Sequence, residues 1–122
     1  MIKLGEAAKY LRQRLELSQR AAAEELGMSH VHLNKIENGT TSPTASMIER
    51  YYDRWGIDLY MLAVSKFSSS DRVPASLGNA VEGLRDAWEI EIESIVKERF
   101  KEAQDVARDS ESQIARRDRR TD

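Results

Sequence analysis

Two short helix-forming segments separated by only two residues are the feature that most limits how this chain can fold. Ser18 can cap a helix running roughly from Gln19 to Leu26, and Gly27 is the residue type that most readily closes a helix in the left-handed conformation. Ser29 can cap a further helix, which the pair Asn38-Gly39 stops. Because so short a turn leaves the two helices little freedom, they must cross closely and bury their apolar faces against other helices.

Amphipathic segments lie on both sides of this pair. Before it, apolar residues recur at three- and four-residue steps from Leu4 to Leu15, as in a helix with one buried face. After it, Pro43-Thr44 opens a fourth helix that ends at Gly56, and Asp58 caps a short fifth one. The sequence therefore predicts an all-α, five-helix bundle over residues 1–67.

The central segments also carry a recognisable motif, LSQRAAAEELGMS at 17–29 followed by LNKIENG at 33–39. Ala23 is small where two helices cross, and Leu33 and Ile36 can fasten the third helix to the first two. On these residues the region 4–66 resembles the Cro and phage-repressor family of helix-turn-helix proteins. The resemblance implies a phage-repressor-like DNA-binding bundle and a sequence-specific transcriptional regulator that binds double-stranded DNA.

The third helix is the expected reading element, because an α-helix fits the major groove, where each base pair presents a distinct pattern. With Leu33 and Ile36 turned inward, its polar side faces outward. The resemblance implies that His30, Val31 and Lys35 contact base edges. It also implies that six residues contact the DNA backbone or support a base-reading side chain: Gln19, Ser29, His32, Asn34, Asn38 and Thr40.

Two residues depart from the family pattern. Val31 replaces a more usual polar residue, which predicts a contact with a thymine methyl group. Tyr52 stands where the family has a small alanine in the fourth helix, which predicts altered packing or a surface aromatic. The other aromatic residues near it, Tyr51, Trp55 and Tyr60, are expected in the core.

Catalytic and metal sites are not expected. The chain has no cysteine, and His30 and His32 are two residues apart, which on a helix points them about 200° apart. No nucleophile and base set is evident, so we expect no enzyme activity, no cofactor and no metal. No apolar run approaches the roughly 20 residues of a membrane span, and the first residues lack a secretory signal, so a cytoplasmic protein is expected.

Charge is unevenly distributed. Residues 1–66 hold 9 Lys or Arg against 8 Asp or Glu, whereas residues 67–122 hold 10 against 13, for a net charge of −2 over the chain. This balance argues against binding to DNA as a polycation and for a local contact face.

The second half of the chain begins with a linker, predicted at 68–75 from its serines and Pro74. An apolar stripe through charged residues then predicts a long helical extension over 76–110, although the alternation at 88–93 also fits a strand. The polar stretch 111–122 is predicted to be a disordered tail.

The stripe has two interpretations. It can dock on the chain's own first domain, or it can form a homodimer through Leu84, Trp88, Ile92, Ile95 and Phe100. Dimerisation is favoured, because a helix of about 30 residues spans roughly 45 Å, longer than so small a bundle can cover. The working hypothesis is a homodimeric repressor of a palindromic operator. The alternative is an antitoxin whose acidic C-terminal segment binds a toxin as protein partner.

Overall fold

Five short helices follow one another in the first half of the molecule and a long sixth helix forms the second. The computed structural model describes residues 3–67 and 73–120, with side chains up to residue 108. The first five helices are α1 (Leu4–Arg14), α2 (Gln19–Leu26), α3 (His30–Glu37), α4 (Ala45–Trp55) and α5 (Leu59–Lys66). A 3₁₀ turn, Ala75–Leu77, precedes α6 (Gly78–Arg120). The described residues contain no strand, and the predicted all-α fold is confirmed.

The beginnings of α2 to α5 lie where the sequence places the capping residues. The side chains of Ser18, Ser29 and Thr44 each accept a hydrogen bond from a backbone N–H three residues later. Asp58 accepts from the backbone N–H groups of Tyr60 and Met61. Each cap satisfies a donor that the first helical turn leaves without a partner, which is why these polar residues fix the helix starts.

The turns between helices use the left-handed conformation. Gly27 ends α2 with φ 66° and Gly56 ends α4 with φ 74°, as the sequence predicts. The turn between α1 and α2 is different, because the left-handed residue there is Glu16, with φ 57°. A residue with a side chain is uncommon in this conformation, and the sequence carries no glycine signal for that turn.

Helix α1 packs against both α3 and α5. Its residues Ala7, Ala8 and Leu11 have no solvent exposure. Gly5 lies so close to α3 that a Cβ atom there would stand 2.3 Å from the backbone oxygen of Ile36. The other buried apolar residues lie in α2 to α6 and in the turns that follow α1 and α4: Leu15, Ala22, Ala23, Leu26, Leu33, Ile36, Tyr51, Trp55, Ile57, Leu59, Leu62, Ala63 and Ile92.

The aromatic residues of α4 and α5 divide between core and surface. Tyr51 and Trp55 are buried and pack edge to face, with ring centroids 5.3 Å apart. Tyr52 is 55% exposed, so it is the surface aromatic rather than a sign of altered packing. Tyr60, expected in the core, is 47% exposed because Leu59 and Leu62 supply the buried face of α5.

The extension is helical in the segment where the sequence also allowed a strand. Residues 88–93 lie inside α6, so the helical interpretation is confirmed and the strand is excluded. The helix continues to Arg120 rather than ending near residue 110. The residues beyond 110 include neither glycine nor proline, and helix-favouring Ala, Arg, Glu and Gln are frequent among them. Residues 68–72 of the predicted linker lie outside the described residues.

The first turns of α6 belong to the same structural unit as the five-helix bundle. The molecule divides into two units between Ile92 and Glu93, later in the chain than the predicted linker. Trp88 donates a hydrogen bond from its indole nitrogen to the Ser65 hydroxyl, and Arg85 donates to the Ser65 carbonyl at 3.2 Å. These contacts with the end of α5 explain why the boundary lies beyond the linker.

A cluster of charged and phenolic groups holds the same part of α6. The Glu89 carboxylate accepts hydrogen bonds from the Tyr10 hydroxyl and the Lys66 ammonium group, and Arg14 lies 3.8 Å from it. These bonds, that of Lys66 first, hold the pKa of the Glu89 carboxyl below its usual range. Burial and the bond to Glu89 raise the pKa of Tyr10 to about 12. Among the described residues, no helix is both long and apolar enough to cross a membrane.

Candidate nucleic-acid interface

Helix α3 presents one buried and one exposed side. Leu33 is 1% exposed and Ile36 is fully buried, which fixes the rotation of the helix. His30 and Lys35 are therefore exposed, and Val31 has 62% of its surface in contact with solvent. Val31 and Lys35 are four residues apart and lie one above the other on the helix. The outer side of α3 thus combines an imidazole, an apolar branched side chain and an ammonium group.

Two residues that the sequence assigned to support contacts are joined by a hydrogen bond. The carboxamide nitrogen of Gln19, at the start of α2, donates to Asn34 Oδ1 at 3.1 Å. The same nitrogen donates to Glu37 Oε1 at 3.3 Å. Gln19 therefore links α2 to two residues of α3 that lie about one helical turn apart, and it restricts the Asn34 side chain at the exposed surface.

Beneath Gln19 lies a buried ion pair. Arg12 of α1 donates to both carboxylate oxygens of Glu37 at 2.8 to 3.0 Å. The side chain of Glu37 is only 3% exposed and that of Arg12 only 13%. Arg12 also donates to the carbonyl of Leu17 at 2.8 Å, in the turn before α2. One guanidinium group thus connects α1, the α1 to α2 turn and the end of α3.

Tyr51 of α4 packs near this ion pair. Its ring is fully buried, and its hydroxyl group has no hydrogen-bond partner among the described residues. Burial, and next the negative charge of Glu37, raise the pKa of the Tyr51 hydroxyl well above its usual range. The phenol therefore stays neutral beside the carboxylate.

The ends of α3 show different uses of their polar residues. Ser29 caps the helix by accepting from the backbone N–H of His32, so its hydroxyl is engaged within the chain. His32 is half-buried, and its Nε2 lies 3.0 Å from the sulfur of Met47 in α4. This side chain packs between helices, whereas sequence reasoning placed it on the outward face. Beyond α3, Asn38 Oδ1 accepts from both the backbone N–H and the hydroxyl of Thr40.

A family model described as helix-turn-helix matches residues 9–52. This match spans α2, the Gly27 turn, α3 and most of α1 and α4. Residues 9–52 are a helix-turn-helix domain of the Cro and phage-repressor type. Neither the search of curated proteins nor that of solved structures returned a match.

A helix-turn-helix domain is a DNA-binding module, so the match supports a DNA-binding regulator. The structure brings Gln19, Asn34 and the exposed side of α3 together on one surface, and the half-buried His32 imidazole lies against Met47 of α4. Sequence reasoning missed Arg12 and Glu37, which hold the surface in place. They are 25 residues apart, and a buried salt bridge between distant helices leaves no periodic signal in the sequence.

The five residues predicted for dimerisation are distributed over both structural units. Trp88 contacts Ser65 and Ile92 is fully buried, so both are engaged within the first unit. Leu84, in the same unit, is 42% exposed. In the second unit Ile95 is half-buried and Phe100 is 50% exposed. Docking on the chain's own first domain, which the sequence allowed, therefore accounts for Trp88 and Ile92. Dimerisation through the other residues of the stripe stays a prediction.

Within the described residues, no group of three or more His, Asp or Glu side chains is arranged to hold a metal ion. The His30 and His32 side chains differ in their surroundings, since one is exposed and the other packs on Met47.

Proposed function

We propose that the protein is a homodimeric repressor or autoregulator that reads a palindromic operator through α3. The observation that supports this most is the exposed side of α3 above a rigid base, because Leu33, Ile36 and the Arg12–Glu37 ion pair leave the helix little freedom. A reading helix that is already held in position loses little conformational entropy when it binds DNA.

Each exposed residue of α3 has a proposed partner in the major groove. Lys35 donates to guanine O6 or N7, and His30 contacts a polar base edge. Val31 packs against a thymine methyl group, which its exposed isopropyl group makes favourable. Gln19, Asn34, Asn38 and Thr40 contact phosphates or support the side chains that read the bases, and such contacts set register rather than sequence preference.

The near-neutral first half of the chain predicts modest affinity for one domain on one half-site. Residues 1–66 carry only one net positive charge, so the overall electrostatic attraction to the phosphates is weak. A homodimer that binds two half-sites together gains affinity without further contacts, because the second domain is held near its site. Twofold symmetry of the dimer then requires inverted half-sites with centres about 10 to 10.5 base pairs apart.

Selection from a pool of randomised duplexes with the purified full chain tests the proposal. We expect an enriched motif with two inverted half-sites. A selection that enriches no motif contradicts sequence-specific reading, and a motif with one half-site only contradicts the dimeric mode.

The antitoxin alternative draws support from the excess of three acidic residues over residues 67–122, which suits a basic protein partner. A small basic protein encoded next to this one and co-purifying with it is expected for the antitoxin alone. Self-association of the purified chain without a second protein is expected for the homodimeric regulator.

A further inference from the structure

The part of α6 beyond Ile92 has a regular apolar side. Six residues within 93–108 fall inside an arc of about 140° when the helix is laid out at 3.6 residues per turn. We call them the C-terminal stripe: Ile95, Val96, Phe100, Ala103, Val106 and Ala107. Every charged residue of 93–108 except Arg99 lies outside this arc. Arg99 is half-buried and interacts with another group of the chain.

Much of the C-terminal stripe is in contact with solvent. Phe100 is 50% exposed and Val106 is 65% exposed, and Ala103 and Ala107 are exposed as well. By contrast, Trp88 and Ile92 earlier on the same helix are engaged within the first unit. A long helix in water is stabilised mainly by packing of its apolar side, so the part of the stripe that the described residues leave exposed is a surface for a partner.

We propose that this partner is a second copy of the chain, and that two copies of α6 associate through the C-terminal stripe. The inference rests on the proposed homodimeric regulator and specifies its contact surface. It assigns Trp88 and Ile92 to docking within one chain and moves the contact between copies to the residues after Ile92.

The spacing of the stripe supports a pair of helices. Val96, Phe100, Ala103 and Ala107 follow one another at steps of four, three and four residues. This alternation keeps one seam facing a partner helix along several turns. Ala103 and Ala107 are small residues in the second half of the seam, where short side chains allow two helix axes to approach closely.

The charge of residues 93–108 favours a second copy of the chain over a partner that carries a large charge of one sign. Residues 93–108 contain four cationic residues, Lys97, Arg99, Lys101 and Arg108, and four anionic ones, Glu93, Glu98, Glu102 and Asp105. A surface that meets itself across a twofold axis must avoid a large charge of one sign, because like charges would repel. This segment has no net charge, so self-association carries no such penalty.

Sedimentation equilibrium of the full chain tests the proposal. We expect the wild-type chain to dimerise and Val106→Glu to raise the dimer dissociation constant at least about tenfold, because the C-terminal stripe would bury a carboxylate without a partner. Ser94→Glu is the matched control, since it adds the same charge on the opposite side of the helix and is expected to leave the constant unchanged. Trp88→Phe removes the indole donor and should also leave the dimer intact.

Val106→Ala tests whether a weaker dimer results from a loss of helical structure. Alanine has the higher helix propensity, so a weaker dimer in this variant, with unchanged helical circular dichroism, reports on the C-terminal stripe itself. A monomeric wild-type chain, or equal dissociation constants for wild type and Val106→Glu, overturns the proposal. Binding to an isolated DNA half-site is measured separately. If the chain dimerises through the stripe but selects no DNA motif, the proposed function fails while the inference about the seam stands.

Discussion

Arg12 and Glu37 form a two-pronged ion pair inside the bundle, with Arg12 Nε 2.8 Å from Glu37 Oε2. The pair joins α1 to the last residue of the reading helix α3. Glu37 also accepts from Gln19, so the orientation of the reading surface depends on a carboxylate that solvent hardly reaches.

Removing one member of this pair should destabilise the domain strongly. Glu37→Gln leaves the buried Arg12 without its counter-charge, and breaking such a pair costs about 3 to 5 kcal/mol. Urea unfolding measures the change. The exposed pair Lys3–Glu6, with 4.0 Å between its atoms, is the control, and Glu6→Gln should cost about 0.5 kcal/mol or less. Equal losses in the two variants would contradict the assignment of Arg12–Glu37 as a structural pair.

Val31 should determine a preference for thymine. Replacing the contacted thymine by deoxyuridine removes only the C5-methyl group, so wild-type affinity should fall for that duplex. Val31→Ala should bind both duplexes alike, and its stability should change little because the side chain is 62% exposed. Fluorescence anisotropy with the paired duplexes measures the difference. A uridine effect that persists in Val31→Ala would assign the methyl contact to another residue.

Lys35 and Asn38 should affect binding in different ways. Lys35→Ala should cost about 1 to 3 kcal/mol on the preferred duplex and relax the preference at one base position. Asn38→Ala should weaken binding to all sequences similarly, because Asn38 is expected to anchor the backbone. Competition among single-base variants of the selected duplex separates the two outcomes. A uniform loss for Lys35→Ala would place that residue on a phosphate instead.

Two glycines should respond in opposite directions to alanine. A Cβ at Gly5 would stand 2.3 Å from the backbone oxygen of Ile36, so Gly5→Ala must separate α1 from α3 and lower the free energy of unfolding. Gly83, inside α6, has no atom within 4 Å of the added Cβ, so Gly83→Ala should stabilise the helix by up to about 1 kcal/mol. Thermal unfolding of both variants checks the pair of signs, and a neutral Gly5→Ala would contradict the close approach.

Docking of the first turns of α6 should weaken in acid. The pKa of Glu89 is lowered in the folded chain, chiefly by its bond to Lys66. The stabilisation is therefore present above the ordinary carboxyl pKa and is lost as the pH falls through the lowered value in the folded chain. The indole N–H resonance of Trp88, which donates to Ser65, reports on docking in an NMR titration. Glu89→Gln should shift this resonance at neutral pH, and a resonance that stays unchanged would separate Glu89 from docking.

Much of the fold could be predicted because its signals are local. Ser18, Gly27 and Ser29 fix the two central helices through caps and a left-handed turn, and these depend on a few neighbouring residues. The exposed position of Val31 followed from the inward periodicity of Leu33 and Ile36. The half-buried position of His32 could not be predicted, because it depends on Met47 of α4, and the periodicity of α3 says nothing about α4.

The sequence by itself determined the helices, their caps and the side of α3 that faces solvent, since each depends on interactions between near neighbours in the chain. Only the tertiary structure determined which contacts hold the helices together. Glu37 meets Arg12 across 25 residues, and Glu89 meets Tyr10 across 79. It also decided that Trp88 and Ile92 are engaged within the chain while Phe100 and Val106 are exposed. The apolar stripe of α6 has the same periodicity along its whole length. Its residues differ in exposure because burial depends on which helices pack against each part.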